Sequence, residues 1–506
     1  MQQNQLQSHQ EKLLLIATIT ASGMAFIDFS AISVALPAIQ RAFDLQGKQL
    51  IWIVNSYTLL LSALILLGGS LGDYFGRKKV FVIGIIIFSI ASLICGLAPG
   101  KYALIAGRAI QGVGGALMVP GSLSNISALI PQQRRGKAYG TWSTFSALTT
   151  IIGPVIGGWL AGAGLWRFIF FINIPLAILA IVILIRYIPE TKNSNAGNID
   201  VLGAFLITIG LAAITYALIE ASEKGWQSTS IIIIFCLGLV GLLLFILREW
   251  KYDYPIMPLQ LFRNRTFSGA NLLTLLVYGA LNITLFFLPL NLIQVQGYSE
   301  FQAGMSILPF AVIIAFLSRL VGVWVDKYGN RLFLSFGPII TAVGFLVLSF
   351  SGLTKGPQSY WINFFIPIAI IGTGMGITVA PLTNAVMSAV SETFAGIASG
   401  INNAIARTAG VLAIALMGTI AIIDFEANMQ SQYLKLNLDK EEVQAVQAEI
   451  PKLAEADPPA ILTGEKQIKL QEMIDNSFIG TFQFITLIAA AIAFAGGLIA
   501  FITIRN

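Results

Sequence analysis

The chain has 506 residues, of which 56% are hydrophobic and only 11% charged, with a net charge of +6 and a mean hydropathy of +0.81. A soluble domain carries about 25% charged residues, so this composition excludes an ordinary soluble protein and indicates a polytopic membrane protein. The two cysteines, Cys95 and Cys236, fall inside apolar stretches, and the single histidine is His9 in the polar N-terminal tail. We therefore expect no disulfide, metal cluster or other cofactor, and no histidine proton relay.

Apolar stretches of about 18 to 25 residues recur along the chain, and each is long enough to cross a hydrocarbon core of roughly 30 Å as a helix. We predict fourteen spans, all helical, because the strands of a membrane β-barrel would alternate in polarity. The predicted spans are 13–37, 50–72, 79–98, 102–130, 138–163, 167–187, 200–221, 229–248, 267–293, 303–325, 331–352, 360–382, 394–423 and 477–503. The first stretch is too long for a signal-peptide core and is expected to remain as a span.

The first span contains an acidic residue, Asp28, and ionisable side chains inside membrane spans are costly and mark functional sites. At about 1.5 Å per residue, Asp28 and Arg108 of the fourth span lie roughly 22 and 20 Å from the same membrane edge. The two side chains could therefore meet, with Gln111 adding a polar contact. A buried carboxylate beside an arginine has a tunable proton affinity, which predicts proton coupling. The alternative is a static Asp28–Arg108 pair that only fixes helix packing.

A glycine-rich turn, GGSLGDYFGRKK at 68–79, joins the second and third spans. We expect Gly69, Gly72 and Gly76 to let the two helices turn tightly and approach closely. The acidic and basic residues that follow these glycines lie at the lipid headgroup boundary. The turn is the most informative segment of the sequence.

A weaker copy of this turn, GVWVDKYGNR, occupies 322–331 and places Asp326 and Arg331 where the first turn has Asp73 and Arg77. We interpret these four residues, together with the glycines of the first turn, as conformational gating residues. For Asp73 and Asp326, gating or packing is favoured over proton transfer, because both sit at the rim of the membrane. The copy also indicates a duplicated chain, whose parallel halves would be related by an axis along the membrane normal.

The predicted organisation is an N-terminal six-helix half at 1–190, a two-helix insert with its connector at 191–265, and a C-terminal six-helix half at 266–506. Roughly 16 lysines and arginines lie in loops on the side of the glycine-rich turn, against about 6 in the short opposite loops. That side is predicted to be cytoplasmic, as are both termini. The loop at 424–476 is then extracytoplasmic, and we expect a small amphipathic cap or a hairpin extension there, with disorder as the alternative.

The fifth span carries GPVIGG at 153–158, in which Pro154 interrupts the backbone hydrogen bonds of the helix. Gly153, Gly157 and Gly158 flatten the helix surface, so one half could rock against the other at this bend. In the thirteenth span, Arg407 is deeply placed and should face a cavity or a partner. Capping of a neighbouring helix is the alternative for Arg407.

These motifs together resemble the fourteen-helix drug:proton antiporter family of the major facilitator superfamily, the group of the bacterial multidrug pumps EmrB and QacA. The residues that carry the resemblance are Asp28 with Val34–Pro37, Trp52, Tyr57, the turn from Gly69 to Lys79, Arg108 with Gln111 and Gly112, Gly153–Gly158, WRFIFFINIP at 166–175 and PLQLFRNRTF at 258–267. The resemblance implies export of amphipathic small molecules by alternating access, driven by a proton gradient. Asp28, Arg108 and Arg407 inherit coupling or substrate roles.

We therefore predict a multi-pass antiporter of the bacterial inner membrane, with a small-molecule substrate and the lipid bilayer as partners and with a periplasmic adaptor as a candidate partner at 424–476. A pocket of aromatic rings with one carboxylate would suit hydrophobic cations. The first alternative is an uptake carrier for a small anion or nutrient that Arg108 and Arg407 bind. A membrane enzyme or sensor and a nucleic-acid-binding protein are disfavoured, because no catalytic or nucleotide-binding motif occurs.

Overall fold

The computed structural model describes residues 8–192, 198–354, 356–391, 394–436 and 438–504, and these residues form helices joined by short connections. The α-helices are α1 (Ser8–Phe43), α2 (Gly47–Phe75), α3 (Arg77–Gly96), α4 (Lys101–Leu129), α5 (Gln132–Gly162), α6 (Phe168–Phe171), α7 (Asn173–Tyr187), α8 (Val201–Lys224), α9 (Thr229–Lys251), α10 (Arg265–Leu290), α11 (Glu300–Ser306), α12 (Leu308–Tyr328), α13 (Asn330–Leu348), α14 (Ile366–Ser388), α15 (Ala395–Tyr433), α16 (Lys440–Glu449) and α17 (Glu465–Thr503). The expected all-α polytopic membrane fold is confirmed.

Within these described ranges, thirteen helices are long and apolar enough to cross a membrane. The remaining predicted span, 138–163, falls on α5, whose described apolar part is the shorter stretch Leu148–Gly162. Two other predicted spans are divided into a short and a long helix. The span at 303–325 breaks at Ile307, because Pro309, the second residue of α12, has no backbone N–H to continue the hydrogen bonds of α11.

The long helices form two groups that meet along a few helix pairs. Helices α1 to α5 and α7 pack on one another, as do α10, α12 to α15 and α17. Contacts between the groups run mainly from α2 to α15 and from α5 to α11. Helices α8 and α9 pack together, and α8 lies against both α2 and α15. The division into two halves with an insert stays a prediction, although these contacts are compatible with it.

Close helix packing depends on small residues, and in the glycine-rich turn the glycine that matters is Gly68. A Cβ on Gly68 would overlap the backbone of Ala116 in α4, so α2 and α4 can touch only because this residue lacks a side chain. The expectation for Gly69 and Gly72 is therefore wrong, since their nearest neighbours would be 3.9 and 3.8 Å away. Gly76 does fit its predicted role, because its φ of 119° favours glycine.

The segment near the C-terminus combines an ordered cap with the predicted hairpin extension. Helix α15 continues to Tyr433 and α17 begins at Glu465, so both helices extend into the predicted segment 424–476. The reason is that both extensions keep buried apolar residues at helical spacing, so their acidic residues lie within helices. These buried residues are Phe425, Met429 and Tyr433 in α15, and Leu470, Ile474 and Phe478 in α17.

The cap, residues 434–464, contains α16 and a 3₁₀ segment at Ile450–Glu455. Its α16 begins with a capping box, in which the Asp439 side chain accepts from the backbone N–H of Glu442. Leu453, with a φ of 60°, packs onto Gly47 at the start of α2. The cap therefore reaches from the α15–α17 pair onto the other helix group. We call this face of the molecule the cap end and the face with Ser8 and Thr503 the terminal end.

Candidate functional site

Three polar side chains from two helices form a buried cluster inside the first helix group. Asp28 of α1 and Arg108 and Gln111 of α4 are all 0% exposed. The Arg108 guanidinium donates to Asp28 Oδ2 and, at 2.7 Å, to Gln111 Oε1. The Gln111 amide donates to Asp28 Oδ1 at 2.8 Å. The expectation that Asp28 and Arg108 meet at one depth is confirmed, and Gln111 joins both.

A second layer of contacts holds this Asp28–Arg108–Gln111 cluster in place. Gln111 Nε2 also donates to Ser92 Oγ of α3 at 2.9 Å, and Asn173 of α7 donates to the same oxygen at 3.2 Å. The Arg108 guanidinium lies over the ring of Tyr57, 4.2 Å from its centroid, a cation–π contact. Four helices besides α1 thus position one carboxylate. The sequence did not predict that Ser92 and Asn173 support the cluster, because a neutral polar residue in a span gives no indication of which helix it faces.

The cluster balances one negative charge with one positive charge in a region without solvent exposure. Removing either partner would leave an uncompensated buried charge, which is strongly unfavourable. A proton on Asp28 would weaken the ion pair and leave Arg108 in need of another acceptor. Arg108 Nη2 has no hydrogen-bond partner among the described residues, so its donor capacity is not filled. Such a pair can respond to protonation, and its proton-coupling role stays a prediction beside the static alternative.

Arg407 of α15 is the second deep charge, and it lies apart from the cluster. Helices α2 and α15 run antiparallel through three contacts, which join Ile51 to Gly418, Asn55 to Val411, and Leu66 to Gly400. Arg407 therefore faces the stretch of α2 just after Asn55, which is the stretch that carries Tyr57. The structure gives Arg407 no bond to a carbonyl of a neighbouring helix within the described chain, so the capping alternative is not supported.

An apolar cavity of about 110 Å³ lies between the two helix groups. Its described lining residues include no charged side chain, and its polar groups are hydroxyls and the Asn282 amide. The walls come from α1, α2, α5, α10, α12, α15 and the junction of α11 and α12. Representative lining residues are Phe29, Ser33, Ile151, Asn282, Phe286 and Ile414. The cavity can hold an apolar group. Its lining residue Phe29 directly follows Asp28 in α1, and its lining residue Ile414 lies on the same face of α15 as Arg407.

The predicted gating residues of the first turn lie at the terminal end. Asp73 accepts from Arg77 Nε at 2.7 Å, one helical turn away across the break between α2 and α3. Sequence reasoning missed Glu190, which accepts from the backbone N–H groups of Lys78 and Lys79 at 3.0 and 2.9 Å. An acid opposite a helix N-terminus satisfies free amides and complements the helix dipole, which is the signal that could have found it.

In the second turn, Arg331 donates to the Phe501 carbonyl at 3.1 Å and its guanidinium lies 4.6 Å from the Phe501 ring centroid. Asp326 is part of α12, but its side chain lies outside the described portion. The two turns therefore differ in at least one contact, because Arg331 reaches the C-terminal helix α17. Their gating role stays a prediction.

The glycines of GPVIGG act at two helix interfaces. A Cβ on Gly153 or Gly157 would overlap Ser30 or the carbonyl of Ala31, so α5 lies directly on α1. On the other side, a Cβ on Gly158 would overlap the backbone of Glu300 in α11. Gly304 of α11 similarly abuts the carbonyl of Pro154. The motif thus joins α1, α5 and the second helix group near the cap end.

Residues 18–414 match the family described as Major Facilitator Superfamily. The chain is 33% identical over 423 residues to the multidrug resistance protein Stp of Mycobacterium tuberculosis, covering 83% of this chain and 77% of the relative. It is 33% identical over 411 residues to the methylenomycin A resistance protein of Streptomyces coelicolor, covering 80% and 85%. Among solved structures, a bacterial homologue of the human lysosomal transporter Spinster, in an inward-facing and occupied conformation, matches with a TM-score of 0.65, 18% identity and 98% of both chains. That similarity bears on the fold alone.

Proposed function

Because the chain belongs to the major facilitator superfamily, we propose that this multi-pass membrane transporter exports drugs or amphipathic small molecules in exchange for protons. It is a transport protein and not an enzyme. Two similar proteins are named for resistance to drugs or to methylenomycin A, which supports export as the direction. We further propose the fourteen-helix drug:proton antiporter branch, with α5 as the fourteenth span.

The observation that carries the proposal of proton coupling is the buried cluster of Asp28, Arg108 and Gln111. Asp28 is a carboxylate inside a membrane span, fully removed from solvent, and its charge is held by a single arginine. Protonation of Asp28 would release Arg108 and change the contacts between α1 and α4. The cycle would thereby link proton binding to which end of the cavity is open, as alternating access requires.

The alternative, uptake of a small anion bound by both arginines, is less well supported. Arg108 already donates to Asp28 and Gln111, so it has less capacity for a substrate anion than Arg407 has. The charge bias of the loops supports a cytoplasmic terminal end and an extracytoplasmic cap end in a bacterial cell membrane. On that orientation the cap is the surface that a periplasmic adaptor would meet.

The test uses bacteria that lack their own efflux pumps and that express the intact protein, Asp28→Asn or Asp457→Asn at equal levels. Growth inhibition is measured for a panel of amphipathic antibiotics that includes methylenomycin A, together with accumulation of each compound before and after an uncoupler. We expect the intact protein and the exposed-site control Asp457→Asn to lower accumulation. Asp28→Asn and the uncoupler should each abolish this effect.

A second measurement separates coupling from folding. Purified Asp28→Asn in proteoliposomes should still exchange labelled for unlabelled substrate, because exchange needs no net proton movement. Failure of the intact protein to lower the accumulation of any compound would reject drug export. Full pump activity of Asp28→Asn would reject proton coupling through Asp28.

A further inference from the structure

Arg407 is a deep charge in the membrane region that no described side chain balances. Asp28, an acid of comparable depth, is already bonded to Arg108 and Gln111. Arg407 is half-buried, and among the described residues it has neither an ion-pair partner nor a hydrogen-bond acceptor. An arginine inside a membrane span is costly and faces a partner or a water-filled cavity. The resting structure therefore leaves one positive charge available to a ligand.

Tyr57, near Arg407 on α2, also has unused hydrogen-bonding capacity. The hydroxyl of Tyr57 is buried without a hydrogen-bond partner among the described residues, and Tyr57 belongs to the stretch of α2 that Arg407 faces. A phenol hydroxyl donates one hydrogen bond, and a guanidinium presents five N–H donors. Together they form a donor pair that suits an acceptor with negative charge, such as a carboxylate.

The cavity between the helix groups extends from the same face of α15. Ile414, which lines the cavity, follows Arg407 by seven residues, two helical turns on one side of the helix. Asn282, another lining residue, lies against Gly410, midway between Arg407 and Ile414. The described lining is apolar and without charge. An elongated ligand could thus place an apolar body in the cavity and a charged head at Arg407.

We infer that Arg407 and the Tyr57 hydroxyl bind the anionic head of an amphipathic organic acid whose apolar part occupies the cavity. This assignment rests on the proposed transport function and names its substrate class. It reverses the expectation of a hydrophobic cation, because a cation would meet an unbalanced guanidinium and no free carboxylate in the described site. The Arg108 guanidinium lies on the face of the Tyr57 ring. A substrate bound at the Tyr57 hydroxyl would therefore lie directly beside the Asp28–Arg108–Gln111 cluster.

The test measures equilibrium binding of 4-phenylbutyrate and of its neutral isostere, 4-phenylbutyramide, to the purified full chain in phosphatidylcholine nanodiscs, because a single ring suits the size of the cavity. We expect saturable binding of the acid, weakened about tenfold or more by Arg407→Gln, because a hydrogen-bonded charge pair is lost. Binding of the amide should stay within about twofold, which also reports that the variant is folded. Arg407→Lys should keep part of the affinity for the acid, and Tyr57→Phe should weaken it several-fold.

Arg263→Gln is the matched control, since Arg263 is exposed in the short connector before α10 and should leave both ligands unaffected. The inference is overturned if the intact protein does not bind the acid saturably, or if Arg407→Gln weakens acid and amide equally. The result is independent of the export test. If the intact protein binds the acid through Arg407 but exports no drug, only the proposed function is rejected. If it exports drugs but does not bind the acid through Arg407, only this inference is rejected.

Discussion

Arg108 makes more directional contacts than any other residue of the buried cluster. Its guanidinium donates to Asp28 and Gln111, contacts the Ile53 carbonyl at 3.4 Å, and lies on the ring of Tyr57. Lysine carries the same charge but has neither the planar fork nor the flat face that these contacts use. The geometry of the guanidinium is therefore as important here as its charge.

We expect Arg108→Lys to lower stability by about 1–3 kcal/mol, because buried acceptors lose their donors. Transport should fall more than the thermal stability alone would explain, since Asp28 would be held differently. The melting temperature and the initial rate of substrate efflux from proteoliposomes measure the two effects. Arg263→Lys, at an exposed position, should change neither. Normal transport by Arg108→Lys would show that the fork is dispensable.

The charged members of the cluster could be predicted because ionisable residues are rare in spans and their depths follow from helix rise. Ser92, Asn173 and the orientation of Tyr57 could not, since which way a neutral side chain faces depends on helix rotation. The sequence also could not predict that Arg407 would have no ion-pair partner among the described residues. A missing partner is a property of the packed helices rather than of any one segment.

Helix α5 is constrained on two faces, because its glycines touch α1 on one side and α11 on the other. The sequence predicted a helix here with a Gly–Pro bend, and the helix is present. The breaks after α6 and α11 were not predicted, because local turns respond to tertiary packing. The extensions of α15 and α17 were expected as a hairpin, but where each helix would end was not. Hydropathy locates the centres of spans better than their ends.

We expect Gly157→Ala to destabilise the protein by about 1–3 kcal/mol, because the added methyl group would overlap the Ala31 carbonyl and separate α5 from α1. Gly162→Ala is the matched control on the same helix, since its Cβ would be 3.6 Å from the nearest atom, ordinary van der Waals contact. Thermal unfolding of the two purified variants in the same detergent compares them. Equal melting temperatures would mean that α1 and α5 do not need this close approach.

Over the whole molecule, the cap end is closed by contacts that join both helix groups to the cap. Gln40 donates to the Lys452 carbonyl at 2.9 Å and accepts from Gln294, which also donates to Glu455 at 2.6 Å. Arg41 pairs with Glu300 and lies 3.8 Å from Glu455. In the proposed alternating-access cycle, opening this end would require these bonds to break together.

We expect this closure to depend on pH through Glu455. Burial raises the pKa of Glu455 above its ordinary value of 4.5, and Arg41 and Gln294 only partly oppose the increase. Since the carboxyl binds its proton more tightly when the cap is docked, its contribution is complete below pH 4.5 and is lost as the pH rises through the raised pKa. We expect the closed population to increase as the pH on this side falls toward 4.5.

Spin labels at Asp457 and Tyr102, both exposed, would report the distance between the cap and the first helix group on a Cys236→Ala background. The distance distribution should shift with pH in the otherwise unmodified protein. Glu455→Gln imitates the protonated carboxyl and should give one distribution at all pH values. A pH shift that persists in Glu455→Gln would assign the effect to another group.

The docking of Leu453 onto Gly47 has a pharmacological consequence. On the proposed orientation the cap faces the outside of the cell, where a large ligand could bind it. A nanobody or cyclic peptide that clasps the docked cap would arrest the pump allosterically. Because such an inhibitor would not resemble any exported compound, the pump could not escape it by changing its cargo preference or by expelling it.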